Sequence, residues 1–252
     1  TYMGYPATTG LPEMDVLIAD HTLLPESLPT GSTEQVRRLD RPWICYEPLA
    51  AAPEVAVTPC LQRGRIRFGS CNTYPKLSPA TIALWADVLR AVPDSDLRLQ
   101  ALAMADPVVR AAVVERFVQH GIAPSRILAV APVNGQRALL DAYADIDIAL
   151  DPLPFNGFTT SCDALWMGVP VITLAGQSYR TRVGAALLTA LGETDLIAQD
   201  EAQYVRIARQ LAASPEQLAE RRSSRRKRFR NSPLGNASSL ADAFTRLFEQ
   251  AL

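Results

Sequence analysis

From Ile66 onward, short β-prone apolar runs alternate with longer stretches whose apolar residues recur at helical spacing, the pattern of βα units that build a parallel sheet. The runs predict strands at Ile66–Ser70, Leu97–Ala101, Ile127–Val130, Ile146–Leu150 and Val171–Leu174, with a short sixth at Leu196–Ala198. Ile82, Trp85, Val88, Leu89 and Val92 mark the first intervening helix, opened by Ser78 as a cap and Pro79 in its first turn. Val109, Val113 and Phe117 mark the next, with Gly121 as its C-terminal stop and His120 as a last-turn cation. Further helices are predicted near 136–143, 160–167, 181–191, 201–212 and 215–229, and Leu240, Phe244, Leu247 and Phe248 line one face of a final amphipathic segment. Residues 1–60 read differently: proline and turn residues dominate, and the apolar runs Val16–Ala19 and Trp43–Tyr46 are too short to hold a domain alone. Tyr2–Tyr5 reads as the end of a strand already in progress, so a longer chain is expected to precede Thr1. With right-handed crossovers, the fold class is α/β, a doubly wound Rossmann-like lobe joined to the end of a second lobe.

Composition narrows the field rather than changing it. The chain has 252 residues, 48% of them hydrophobic, which is enough for one large core or two modest ones. A net charge of −1 gives no general attraction to nucleic acid or to an anionic membrane, and neither partner is expected. No run approaches the ~20 apolar residues of a membrane span, and the first residues lack a signal-peptide layout. Cys45, Cys60, Cys71 and Cys162 stand in apolar surroundings without metal-ligand spacing, which predicts buried reduced thiols, no metal site and a soluble, cytoplasmic setting.

In an open α/β sheet ligands bind beyond the carboxyl ends of the strands, so the loops that follow each strand carry the candidate chemistry. Phe68 to Lys76 follows the first strand and places a lone lysine just ahead of a helix, where a cation suits a diphosphate; a solvated surface charge would look the same. Asp151 to Asp163 follows the fourth strand. Thr159 and Thr160 there can cap the next helix and leave its first N–H groups directed at an anion. Asp163, one turn in, suits a ribose diol, or simply complements the helix dipole.

These loops, with Ala164-Leu165-Trp166-Met167-Gly168-Val169-Pro170-Val171, closely resemble the C-terminal catalytic region of the O-GlcNAc transferase (SPINDLY-like) family, glycosyltransferase family 41, of bacterial type. Gly4-Tyr5-Pro6-Ala7-Thr8-Thr9-Gly10, Cys45-Tyr46-Glu47-Pro48, the run from Asp147 to Asp151, the Arg182 to Leu188 helix and Ser232-Pro233-Leu234 fit in order, so the resemblance spans essentially the whole chain. It implies a GT-B fold and inverting, metal-independent transfer of N-acetylglucosamine from UDP-N-acetylglucosamine to serine or threonine of a protein or peptide acceptor, without a cofactor. By the same resemblance Lys76 holds the diphosphate and stabilises departing UDP. Thr73 lies near the phosphates, Thr159 and Thr160 bind them, Asp163 binds the ribose, and Gly4 and Pro6 face the sugar from the other lobe. Residues 1–60 are then the end of an N-terminal lobe, 61–235 the nucleotide-sugar-binding lobe, and 236–252 a helix packing back on the first. Tetratricopeptide repeats are expected upstream.

Several positions depart from the family. Leu139 falls where the resemblance, counted back from Tyr143, implies a histidine beside the uridine, and Phe158 replaces a histidine or threonine. Arg137 either reaches that pocket instead or is a solvent-facing helix arginine. The family's candidate base histidines belong upstream of Thr1, and His21 is not expected to act as one. Two other readings therefore stand beside the enzyme: a non-catalytic nucleotide-sugar-binding or scaffold protein, and a UDP-hexose-dependent protein glycosyltransferase. Arg221 to Arg230 holds seven basic residues, which nucleic acid or acidic lipid would also attract. With Glu216 and Glu220 ahead of them the order follows the helix dipole, predicting a solvated helix end.

Overall fold

The computed structural model describes residues 1–3, 7–28, 31–132 and 135–249. Its centre is a parallel sheet of β3 (Ile66–Ser70), β4 (Ser95–Gln100), β5 (Ile127–Val130), β6 (Ile148–Leu150), β7 (Val171–Leu174) and β8 (Ile197–Ala198) in the order β5-β4-β3-β6-β7-β8. Phe68 pairs with Leu97 on one side and Ile148 on the other, and all three are fully buried, as strands covered on both faces require. The chain winds outward from β3 to β5, then returns to lay β6 beside β3. The carboxyl ends of β3 and β6 therefore flank a topological switch point, where a crevice opens.

The helices that cover the sheet are α2 (Pro79–Ala91), α3 (Pro107–Val118), α4 (Gln136–Asp141), α5 (Thr159–Trp166), α6 (Val183–Ala190), α7 (Glu201–Ala212) and α8 (Pro215–Asn231), with a single turn, α1 (Cys60–Arg63), before β3. Helix α2 shows why they form. Ser78 accepts from the amide of Thr81 at 3.1 Å, Pro79 fits the first turn, and Ile82, Trp85, Val88 and Leu89 are buried against the sheet and α7. Each such side chain contributes about 1.5–3 kcal/mol, and Trp85→Ala alone would cost about 3–5 kcal/mol.

Polar residues move some boundaries. Strand β4 begins at Ser95 rather than Leu97 because Asp96, buried, is engaged by Arg67 and Arg65. Strand β6 begins two residues later than the apolar run, since the Asp147 carboxylate accepts from the amides of Cys60 and Arg67. Helix α6 begins at Val183, after a 3₁₀ turn at Tyr179–Thr181 closed by a Ser178/Thr181 capping box.

In the first 60 residues, β1 (Val16–Asp20) pairs in parallel with β2 (Gln35–Leu39), a strand the apolar pattern did not mark. Tyr2 is not in a strand, although Thr1 exchanges two backbone bonds with Val16 and Ile18; residue 5 lies outside the described residues. Trp43 and Ile44 are buried without regular structure, tied to β1 through Asp20, whose carboxylate accepts from the Trp43 amide at 3.1 Å. The last helix, α9 (Ala237–Glu249), sets Leu240, Ala243 and Leu247 on Ile18 and Leu39, and Phe244 meets Tyr2 edge to face at 4.9 Å.

Two expectations are corrected. The basic end of α8 is only in part a solvated face: Lys227, Arg228 and Arg230 are exposed, but Arg222 and Arg225 are 2% and 0% exposed. Arg222 donates to the carbonyls of Ala56, Ile146 and Tyr143, and Arg225 to Glu193 and the carbonyl of Gly168. Packing α8 against the ends of other elements exposes it to their unpaired carbonyls, which these guanidiniums satisfy. All four cysteines are free thiols, yet Cys45 and Cys71 are half-buried and only Cys60 and Cys162 buried. Among the described residues, no helix is long and apolar enough to cross a membrane.

Candidate functional site

The loop after β3 enters a 3₁₀ turn at Tyr74–Lys76, preceded by Thr73, which is exposed. The turn carries Lys76 across the switch point: Nζ donates to the carbonyl of Asn156, in the loop after β6, at 2.6 Å, and stands 4.6 Å from the centre of the Phe155 ring. Partial burial lowers the pKa of Lys76, against the pull of Asp151, which raises it. The ammonium keeps further N–H groups beyond the one bond to Asn156, so it is placed to meet an anion.

Beneath this lysine lies Asp151, the first residue after β6 and 1% exposed. It accepts from the Gly157 amide at 2.6 Å, Thr173 Oγ1 at 2.6 Å and Ser161 Oγ at 3.3 Å. Burial pushes its pKa up to about 6, with those hydrogen bonds and Lys76 opposing the rise. Two glycines permit the approach. A Cβ on Gly157 would stand 2.3 Å from Ser161 Oγ, and one on Gly184 2.4 Å from Asp151 Oδ2. Asn156, fully buried, donates to the Pro152 carbonyl at 3.1 Å and completes the loop.

Helix α5 starts from this floor. Its N-cap is Phe158, so Thr159 and Thr160 are not caps as the sequence suggested but occupy the first turn. Their N–H groups have no intrahelical acceptor and point out of the helix end with its partial positive charge. Thr159 is exposed; Thr160 donates to Asn72 Oδ1 at 3.0 Å, tying α5 to the β3 loop, and its carbonyl accepts from Tyr143 Oη at 2.8 Å. Asp163, half-buried, accepts from Tyr46 Oη; burial raises its pKa and the tyrosine opposes this.

Lys76 and Thr73, after β3, and Thr159, Thr160 and Asp163, after β6, thus lie on the two segments that follow the switch-point strands, joined by the bonds from Lys76 to Asn156 and from Thr160 to Asn72. Three other candidates make different contacts, Phe158 among them as the N-cap of α5 itself. Phe158 packs its ring on Trp43 at 5.9 Å, Leu139 is 42% exposed, and Arg137 lies at the surface, donating at 3.4 Å to the carbonyl of Ala51. Gly4 and Pro6 lie outside the described residues. His21 meets Asp40 at 3.3 Å on the exposed side of the β1–β2 segment. A cavity of about 530 Å³ between β2 and α9 and one of about 650 Å³ beside α8 contain none of the crevice residues. The site follows from the switch point and its polar floor, not from cavity size.

Sequence reasoning passed over Asn72, Asp151, Asn156 and Tyr46. Asp151 had a signal, a carboxylate directly ending an apolar strand. Tyr46 had none, being 117 positions from the aspartate it bonds.

The glycosyl transferase family 41 model matches residues 59–244. The probable UDP-N-acetylglucosamine–peptide N-acetylglucosaminyltransferases named SPINDLY from Oryza sativa subsp. japonica and Arabidopsis thaliana are 36% and 35% identical over 100% and 96% of this chain, which covers 27% and 26% of their lengths. An O-GlcNAc transferase variant of Thermobaculum terrenum superposes with a TM-score of 0.90 at 33% identity, over 99% of this chain and 47% of that one. A sucrose-phosphate synthase from Thermosynechococcus elongatus, at TM-score 0.59 and 19% identity, covers 94% of this chain and 58% of its own and shows the shared fold alone. The chain therefore spans about a quarter of the curated relatives' length.

Proposed function

The chain belongs to glycosyl transferase family 41, and from that premise we propose that it is the donor-binding part of a GT-B enzyme transferring N-acetylglucosamine, with inversion, from UDP-N-acetylglucosamine to serine or threonine of proteins. The observation that carries this reading is the convergence of Lys76, from the β3 loop, with the open N-terminus of α5 and Asp163 at one switch point. The helix end and Lys76 receive the pyrophosphate, and Asp163 the ribose diol.

As the bond from the anomeric carbon to the β-phosphate oxygen breaks, negative charge grows on UDP. Lys76 then stabilises the leaving group more strongly than the bound donor, which lowers the barrier. The dianion's arrival also favours the ammonium form that burial disfavours. In this scheme Lys76, rather than a divalent cation, supplies the counter-charge, so transfer should withstand a chelator. Asp151 and Asn156 hold the loop under the phosphates. Residues 1–60 and 236–252 form the end of the facing lobe and 61–235 the nucleotide lobe, in a cytoplasmic protein whose cysteines stay reduced.

The test is transfer from labelled UDP-N-acetylglucosamine to serine- and threonine-bearing peptides by the intact protein. Lys76→Ala should cut kcat about 10²–10³-fold. Unchanged UDP affinity together with unchanged turnover would remove the reading, and faster turnover with UDP-hexoses would redirect it to another sugar.

A further inference from the structure

Asp163 presents an incomplete hydrogen-bond shell. Its Oδ1 accepts from Tyr46 Oη, while Oδ2 has no donor among the described residues, although the side chain is half-buried. A carboxylate in that situation is short of donors, and a diol supplies two. The tyrosine comes from outside the nucleotide-binding sheet, in the stretch between β2 and α1, and its place is fixed from several sides. The Tyr46 amide donates to the carbonyl of Leu234 at 2.8 Å, and its ring meets Phe229 edge to face at 5.6 Å and 74°. Phe229 in turn meets Trp166 at 5.9 Å and 87°, and Trp166 lies one turn beyond Asp163 on α5. The path α5–Asp163–Tyr46–Phe229–Trp166–α5 closes on itself, so the hydroxyl has little freedom to leave the carboxylate.

Resting on the proposed function, we propose that Tyr46 is a positioning residue for the nucleotide, holding Asp163 by one oxygen so that the other is preset for the ribose diol. Preorganisation of this kind removes an ordering cost at the moment of binding. It also makes ribose recognition depend on a segment outside the βα lobe, because a shift of residues 43–48 would withdraw the hydroxyl.

The experiment compares binding of UDP and 2′,3′-dideoxy-UDP to the intact protein carrying Tyr46→Phe or Asp163→Asn. The phenylalanine ring keeps the contacts with Phe229 and removes the hydroxyl alone. Tyr46→Phe should weaken UDP about 10-fold, the size of one charge-assisted hydrogen bond, and leave dideoxy-UDP within about 2-fold. Equal weakening of both ligands, or of neither, overturns the role of Tyr46. If Asp163→Asn discriminates between the ligands and Tyr46→Phe does not, the inference fails and the donor site stands. If Asp163→Asn fails to discriminate, the ribose assignment falls and takes the inference with it.

Discussion

On α8, Arg222 sends its guanidinium to three carbonyls and Arg225 meets Glu193 and a fourth, whereas Lys76 reaches the single carbonyl of Asn156 and a ring face. All three are cations withdrawn from bulk water. The arginines are enclosed by the fold, Arg222 bonded through all three of its nitrogens and Arg225 through two with its Nη2 buried and unpartnered, so neither is open to a ligand, while the half-buried lysine makes one bond and stays accessible. Two members of a charge cluster in the sequence thus prove structural, while an isolated charge keeps N–H groups beyond its one bond. What separates them is whether the donors the fold leaves over can still be reached from outside.

The strongest way to break this contrast is through stability. Arg225→Leu strands Glu193 in a buried position with only Arg228 left to it, and should lower stability by about 3 kcal/mol or more in urea unfolding. A loss below about 1 kcal/mol would deny α8 its structural role. Lys76→Ala should do the reverse, with the unfolding midpoint nearly unchanged and kcat down about 10²–10³-fold.

Asp151 sharpens the comparison from the anionic side. Its folded pKa, about 6, stands above its ordinary value of about 4, so its contribution favours the fold below pH 4 and is lost as pH rises through 6. Relative to Asp151→Asn, the native protein should therefore gain stability as pH falls from 6 to 4, and parallel pH profiles would contradict a buried, desolvated carboxylate. The smallest effect belongs to Lys227, exposed on α8 beside the two buried arginines. Lys227→Ala should change stability by less than about 0.5 kcal/mol and leave UDP affinity unaltered in the same titration.

The βα alternation was legible because strands such as β6 and β7 are buried along nearly their whole length and read as near-continuous apolar runs. Strand β2 was not, since Arg37 and Arg38 interrupt Val36 and Leu39, and α9, about 200 positions away, supplies the apolar surface that makes Leu39 a core residue. Within the site, Lys76 and Asp163 could be read from their loops, while the Tyr46 bond to Asp163 and the Thr160 bond to Asn72 depend on pairings that local spacing does not encode.

The seat of α9 on Ile18 and Leu39 has a consequence in time. Leu39 leaves the ribosome 201 residues before Leu240, its packing partner, which at about 5–20 residues per second is a wait on the order of 10–40 s. For that interval Ile18 and Leu39 lack the contacts of Leu240, Ala243 and Leu247. Synthesis order thus leaves Ile18 and Leu39 waiting for the apolar cover that α9 brings last among the described helices.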